Sequence, residues 1–188
     1  MAESFTLLYQ QPKAVLEFDS LCRLLGPLQL SVEHPGTRNV LILDDFGEHV
    51  VTTKDDVRAS IEQRAEVNVE FWYAENHDLL CQLRFVGDVQ VIFFSLRGLS
   101  QDECASIRRV ILAAIRATDI GVRPLALVFD EEGASADVDW DDVFLGGGTS
   151  CGGGEFSLPT LVLLNEDVAK RFEGAKVETF GFGLVRAI

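Results

Sequence analysis

Residues 67–96 have the sequence VNVEFWYAENHDLLCQLRFVGDVQVIFFSL, and this stretch decides the fold. It contains three runs rich in β-branched and aromatic residues, at 67–74, 79–86 and 89–96. The separators, ENHD at 75–78 and the pair Gly87-Asp88, have the composition of tight turns. The stretch therefore predicts a three-strand antiparallel meander at about 67–96. The third run is apolar on both faces, which favours a central strand.

A helix is predicted directly after the meander. Residues 100–103 (SQDE) form a capping box, in which a serine hydroxyl and a glutamate carboxylate satisfy free backbone amides. Apolar residues then recur at helical spacing, so the longest helix is predicted at about 101–118. Similar signals give three to four helices in all. Because strand runs outnumber helices and three of them are consecutive, we expect an α+β fold with a mostly antiparallel or mixed sheet.

Length, composition and charge restrict the class of protein. A chain of 188 residues with 47% apolar residues predicts one globular domain spanning 1–188, with a sizeable core. Thirty acidic residues against sixteen basic ones give a net charge of −14. That balance disfavours nucleic acids and anionic membranes as partners, because phosphate groups are bound by clustered Lys and Arg. No uninterrupted apolar run of about 18 residues occurs, so no membrane span is predicted.

The compartment is predicted from the N-terminus and the cysteines. The first fifteen residues lack a basic region followed by an apolar core, so no signal peptide is expected. The four cysteines are scattered without a CxxC pair, which is typical of buried thiols in a reducing compartment. We expect a cytoplasmic protein. Twelve Arg against four Lys are typical of a GC-rich bacterial coding sequence.

The strongest functional feature is the acidic segment, which we define as residues 130–142. It contains seven carboxylates and no base, and it precedes a glycine-rich loop at 146–154. Two interpretations are open: a solvated loop, or a docking surface for a basic protein partner. In the second, two aromatic residues are apolar anchors within a negative rim. The partner-binding candidates are Asp137, Asp139, Trp140, Asp141, Asp142 and Phe144, with Asp44 and Asp45 as a second acidic group.

Other chemistries are not indicated by these motifs. The glycine-rich loop is followed by Glu155, where a phosphate-binding loop needs a lysine. The D-x-D-x-D pattern at 137–141 resembles a calcium loop, but Asp142 and Gly148 replace the required glycine and glutamate. No base lies near Cys151 in sequence to activate its thiol. We therefore predict no catalytic residue, no metal and no cofactor.

Three classes of function remain open. The preferred one is a non-enzymatic protein-binding domain that masks a basic surface of its partner. An immunity protein, an antitoxin or an inhibitor acts in this way, and a nuclease-type toxin fits as partner because its substrate site is basic. The second class is an enzyme or small-ligand-binding domain whose pocket beside the meander uses Glu70, Glu75, His77 and Arg84. The third is a homodimer or scaffold in which strands pair across subunits.

Overall fold

The computed structural model describes residues 3–117, 121–146, 159–171, 177–181 and 184–187, and its strands form one sheet of ten. The strands are β1 (Phe5–Gln10), β2 (Val40–Leu43), β3 (His49–Thr52), β4 (Val67–Ala74), β5 (His77–Val86), β6 (Val89–Ser95), β7 (Pro124–Asp130), β8 (Leu161–Asn165), β9 (Val177–Gly181) and β10 (Leu184–Ala187). They lie in the order β3-β2-β4-β5-β6-β1-β7-β8-β10-β9, and every neighbouring pair is antiparallel.

Helices alternate irregularly with these strands along the chain. They are α1 (Phe18–Leu25), α2 (Lys54–Glu62), α3 (Gln101–Arg116), α4 (Trp140–Phe144) and α5 (Glu166–Ala169). The last two have only five and four residues, whereas α1, α2 and α3 have eight or more. The α+β class with an antiparallel sheet is confirmed, and α3 is the longest helix. No helix within the described ranges has the length and apolar character needed to cross a bilayer.

The predicted meander is confirmed as β4, β5 and β6, which are neighbours in the sheet. The first turn is tighter than the sequence suggested, because Ala74 pairs with His77 and only residues 75–76 lie between the strands. Gly87 adopts a φ of +57° in the second turn, a value that glycine reaches without a Cβ clash. Strand β6 lies between β5 and β1 and is buried over its first four residues, as expected for a central strand.

Both faces of the sheet are covered. Helices α1, α2 and α3 pack on what we call the first face, where Phe18, Val57 and Ile111 belong to the larger core. The opposite, second face carries a smaller core that includes Phe144 of α4 and Val168 of α5. All six residues of β1 are buried as a result, because alternate side chains enter the two cores.

The capping box that begins α3 predicts a measurable contribution to stability. The Ser100 hydroxyl accepts a hydrogen bond from the Glu103 amide, and the Glu103 carboxylate accepts from the Ser100 amide at 2.8 Å. Ser100→Ala is expected to lower the free energy of unfolding by about 1 kcal/mol, measured by urea denaturation. The matched control is Ser106→Ala in the same helix, since its hydroxyl bonds only to the Asp102 carbonyl within the helix. Equal effects of the two substitutions would contradict the role of the cap.

Candidate functional site

The acidic segment leaves β7 through a buried aspartate. Asp130 is fully buried, and its carboxylate accepts hydrogen bonds from the backbone amides of Ala134 (2.9 Å) and Ser135 (2.6 Å). The Ser135 hydroxyl donates a third bond to it at 2.7 Å. These bonds satisfy both oxygens of a buried carboxyl group, which would be costly to bury without partners. The first turn of the acidic segment is thus fixed from inside, and Asp130 cannot contact a partner.

The other end of the segment is held by Asp141. Arg84 of β5 binds this carboxylate with both terminal nitrogens, at 2.6 and 2.8 Å, and the Tyr9 hydroxyl of β1 donates to it at 2.8 Å. The sheet register makes this convergence possible: Arg84 lies opposite Val91 of β6, and Val91 lies opposite Tyr9. The Arg84 and Tyr9 side chains therefore point to the same face of the sheet and meet Asp141 above it.

The environment of this cluster changes the pKa of its members. Burial raises the pKa of Asp141, but the hydrogen bonds from Arg84 and Tyr9 and the charge of Arg84 outweigh it, so that its pKa is lowered overall. The pKa of Tyr9 is raised, first by burial and then by its hydrogen bond to Asp141. Asp141 is therefore ionised and Tyr9 is protonated at neutral pH.

A further carboxylate of the segment is paired inside the protein. Glu131 lies 2.8 Å from Arg108 of α3, and both side chains are mostly buried. The sequence offered no base within the segment, and the bases that pair with Asp141 and Glu131 come from strand β5 and helix α3. Arg84 did carry a signal, because it is the only base on the polar side of strand 79–86. Its partner could not be identified without the fold.

The remaining carboxylates of the segment face solvent. Glu132, Asp137, Asp139 and Asp142 are all exposed. Asp139 also caps α4, since its Oδ1 accepts a hydrogen bond from the Asp142 amide at 3.0 Å. Of the four aspartates predicted to bind a partner in this segment, three are accessible, and Asp141 is occupied by Arg84 and Tyr9.

The two aromatic candidates have different environments. Phe144 is 1% exposed and packs edge-on against Tyr9, with ring centroids 5.1 Å apart. It belongs to the core of the second face, so in this conformation it cannot serve as a surface anchor. Trp140 stacks on Phe144 at 5.3 Å and remains partly exposed. The spacing of four residues placed both rings on one side of α4, but that side packs inward, and only the outer ring reaches the surface.

Asp44 and Asp45 lie in the turn between β2 and β3. The Asp44 carboxylate accepts hydrogen bonds from the amides of Phe46 and Glu48, both at 2.9 Å, while Asp45 is exposed. Asp44 follows Leu43, and Leu43 is level with Gln82 of β5 through the intervening strand β4. The turn thus lies at the same end of the sheet as Arg84, two strands away from β5.

The residues predicted for a catalytic or ligand pocket do not converge. Glu70 is buried and bonds to His49 at 2.9 Å, whereas His77 lies 3.2 Å from Glu103. Arg84 pairs with Asp141, and Glu75 is exposed. Three of the four thus have separate partners. Among the described residues, no group of three or more His, Cys, Asp or Glu side chains is arranged to hold a metal ion.

A cleft of about 230 Å³, which we call the segment cleft, lies between the acidic segment and the second face of the sheet. Residues 136 and 138–141 form its outer wall, and β1, β5 and β6 contribute to its floor. Its charged and aromatic lining consists of Glu3, Phe5, Tyr9, Arg84, Phe93, Asp139, Trp140 and Asp141. No sequence pattern marks Glu3, Phe5, Tyr9 or Phe93 as site residues, because their proximity depends on the sheet.

No protein-family model, curated protein or solved structure matches this chain. Function is therefore inferred from the geometry of the acidic segment and its surroundings.

The Asp141–Arg84 pair predicts a difference between two neighbouring aspartates. Asp141→Asn removes the charge that offsets a partly buried guanidinium, and we expect it to lower the free energy of unfolding by about 1–3 kcal/mol. Asp142→Asn is the matched control, because this exposed side chain has no hydrogen-bond acceptor role in the described contacts. Its expected effect is within about 0.5 kcal/mol. Urea denaturation of both variants at neutral pH measures the difference.

The lowered pKa of Asp141 also predicts a pH dependence. A carboxyl group whose pKa is lower in the folded state stabilises the fold fully above its unfolded pKa, and that stabilisation is lost as pH falls through the folded value. The stability gap between wild type and Asp141→Asn should therefore be constant near neutral pH and shrink below about pH 4. A gap that widened on acidification would contradict the assignment.

Proposed function

We propose that this protein binds a partner protein with a basic surface and masks that surface through the acidic segment. The observation that carries the proposal is the fixation of the segment at both ends, by buried Asp130 and by the Asp141–Arg84–Tyr9 cluster. The same contacts pack the inner side of the segment on the second face of the sheet, and they hold its outer side in one conformation. Asp137, Asp139 and Asp142 project from this fixed frame, so their charges need little ordering on binding.

The charge of the chain suits this role. With a net charge of −14, the protein attracts a basic partner at long range, and complementary charge raises the association rate and the specificity of docking. Basic surfaces on proteins commonly bind polyanionic substrates, as nuclease sites do. Covering such a surface with fixed carboxylates excludes the substrate. The corresponding role is that of an inhibitor, an immunity protein or an antitoxin.

Self-association through the sheet edge is less well supported. Strand β3 is at one end of the sheet, and Val51 on it is 63% exposed. The adjacent turn carries Asp44, Asp45 and Glu48. Antiparallel pairing of two β3 strands would place the acidic turn of each copy beside the start of α2 in the other copy, where Asp55 and Asp56 lie, so like charges would approach at both ends of the interface. The same charges favour a basic partner.

Neutralising the exposed carboxylates tests the proposal. The variant D137N/D139N/D142N keeps the size of each side chain, and asparagine at 139 still caps α4. Wild type and variant serve as baits for capture from host extract, and the captured protein is then purified for association kinetics. We expect the variant to associate about tenfold more slowly at low ionic strength, with a weaker dependence on salt.

The control removes the same charge from the first face. E17Q/E62Q/D102N neutralises three exposed carboxylates that lie at the ends of α1, α2 and α3. Its association rate should fall much less than that of the acidic-segment variant. Equal association rates for wild type and D137N/D139N/D142N would refute docking through the acidic segment.

A further inference from the structure

The segment cleft has a size and a charge that suit one cationic side chain. Its volume of about 230 Å³ is below the roughly 300–1,000 Å³ typical of small-molecule sites. Three carboxylates line it, those of Glu3, Asp139 and Asp141, against the single guanidinium of Arg84. Arg84 is already bound by both of its terminal nitrogens to Asp141. The charges of Glu3 and Asp139 are therefore left to act on whatever enters the cleft.

The aromatic walls add a second preference. Phe5 and Phe93 stack with centroids 5.9 Å apart on the sheet side, and Trp140 lies on the segment side. Phe144 covers one side of the indole and does not line the cleft, so the remainder of the Trp140 ring borders the cleft. A cation is attracted to the face of an aromatic ring, most strongly to tryptophan. Arginine suits such a site better than lysine, because its planar guanidinium is weakly hydrated and stacks on rings.

A second cleft is also lined by carboxylates, but it lacks the accessible aromatic ring of the segment cleft. It has about 310 Å³ and is lined by Glu17, Asp19 and Glu62 with one base, Arg58. Arg58 donates hydrogen bonds to Asp19 and also to Asp55, so this base is paired with two carboxylates. Its one aromatic residue, Phe18, is 2% exposed. This cleft has no accessible ring for a cation and supplies the control for the experiment.

We propose that the segment cleft binds one arginine side chain of the partner protein, which contacts Trp140 and the carboxylates of Glu3 and Asp139. This inference rests on the proposed function, since the arginine belongs to the basic surface that the acidic segment covers. It assigns the segment cleft the role of a socket at the centre of the docking surface. Arg and Trp are enriched among the residues that dominate binding energy in protein interfaces, and such residues pair with each other in pockets near the centre of the interface.

The test is a titration of the full chain with Nα-acetyl-arginine amide, followed by nitrogen–proton correlation spectra of the indole groups. The chain has two tryptophans, so a Trp72→Phe variant assigns the signals. We expect a saturable shift of the Trp140 indole signal, weaker binding of the lysine analogue, and no saturable shift with the uncharged norleucine analogue. An equal response to norleucine, or no saturable shift with arginine, overturns the inference.

Two variants locate the binding site. E3Q/D139N should weaken arginine amide binding about 5- to 20-fold, since each exposed charge contributes a few-fold in affinity. E17Q/E62Q makes the same charge change at the second cleft and should leave the affinity unchanged. Unchanged binding to E3Q/D139N would refute the assignment to the segment cleft.

The outcome is separable from that of the docking proposal. The titration contains no partner protein, so its failure removes the arginine socket and leaves the association kinetics to decide on docking. Unchanged association kinetics of D137N/D139N/D142N would remove the docking role even where the amide binds the segment cleft.

Discussion

The contact of Asp141 with Arg84 and Tyr9 joins a segment late in the chain to two strands from its first half, and the second face of the sheet depends on it. An ion pair in a partly buried position gains from low dielectric screening but must offset the desolvation of both charges. Two parallel N–H···O bonds and a third from a phenol satisfy the carboxylate and provide that offset. With Asp141 held there, α4 lies against the sheet, and Phe144 completes the core with Tyr9.

The width of the sheet explains why the segment must cover it. Strands β1, β6 and β7 are central and carry apolar side chains on both faces, so each face needs a covering layer. The first face receives three helices of eight residues or more. The second face receives α4 and α5, which are short, together with the chain around them. The acidic segment thus serves the fold with its inner side chains and leaves its outer carboxylates exposed to solvent.

Short-range sequence patterns predicted several elements of the fold. The meander, the central position of β6 and the capping box of α3 follow from alternation, turn composition and a serine–glutamate spacing of three. Phe144 shows the limit of such patterns. Its spacing from Trp140 was consistent with a pair of surface anchors, but a ring four residues away can face the core as well as solvent. The ring of Phe144, and not that of Trp140, is buried because it packs against Tyr9 of β1.

By itself, the sequence determined an α+β chain with an excess of acid and a concentrated group of seven carboxylates, since composition and short-range periodicity need no knowledge of distant contacts. The tertiary structure decided which of those carboxylates are free. Asp130 and Asp141 are bound inside the protein, Glu131 pairs with Arg108, and the exposed ones project from the frame that these contacts hold. The physical reason is separation along the chain: Arg84 is 57 residues from Asp141 and Tyr9 is 132 residues from it. Such pairs come together only through the register of the sheet.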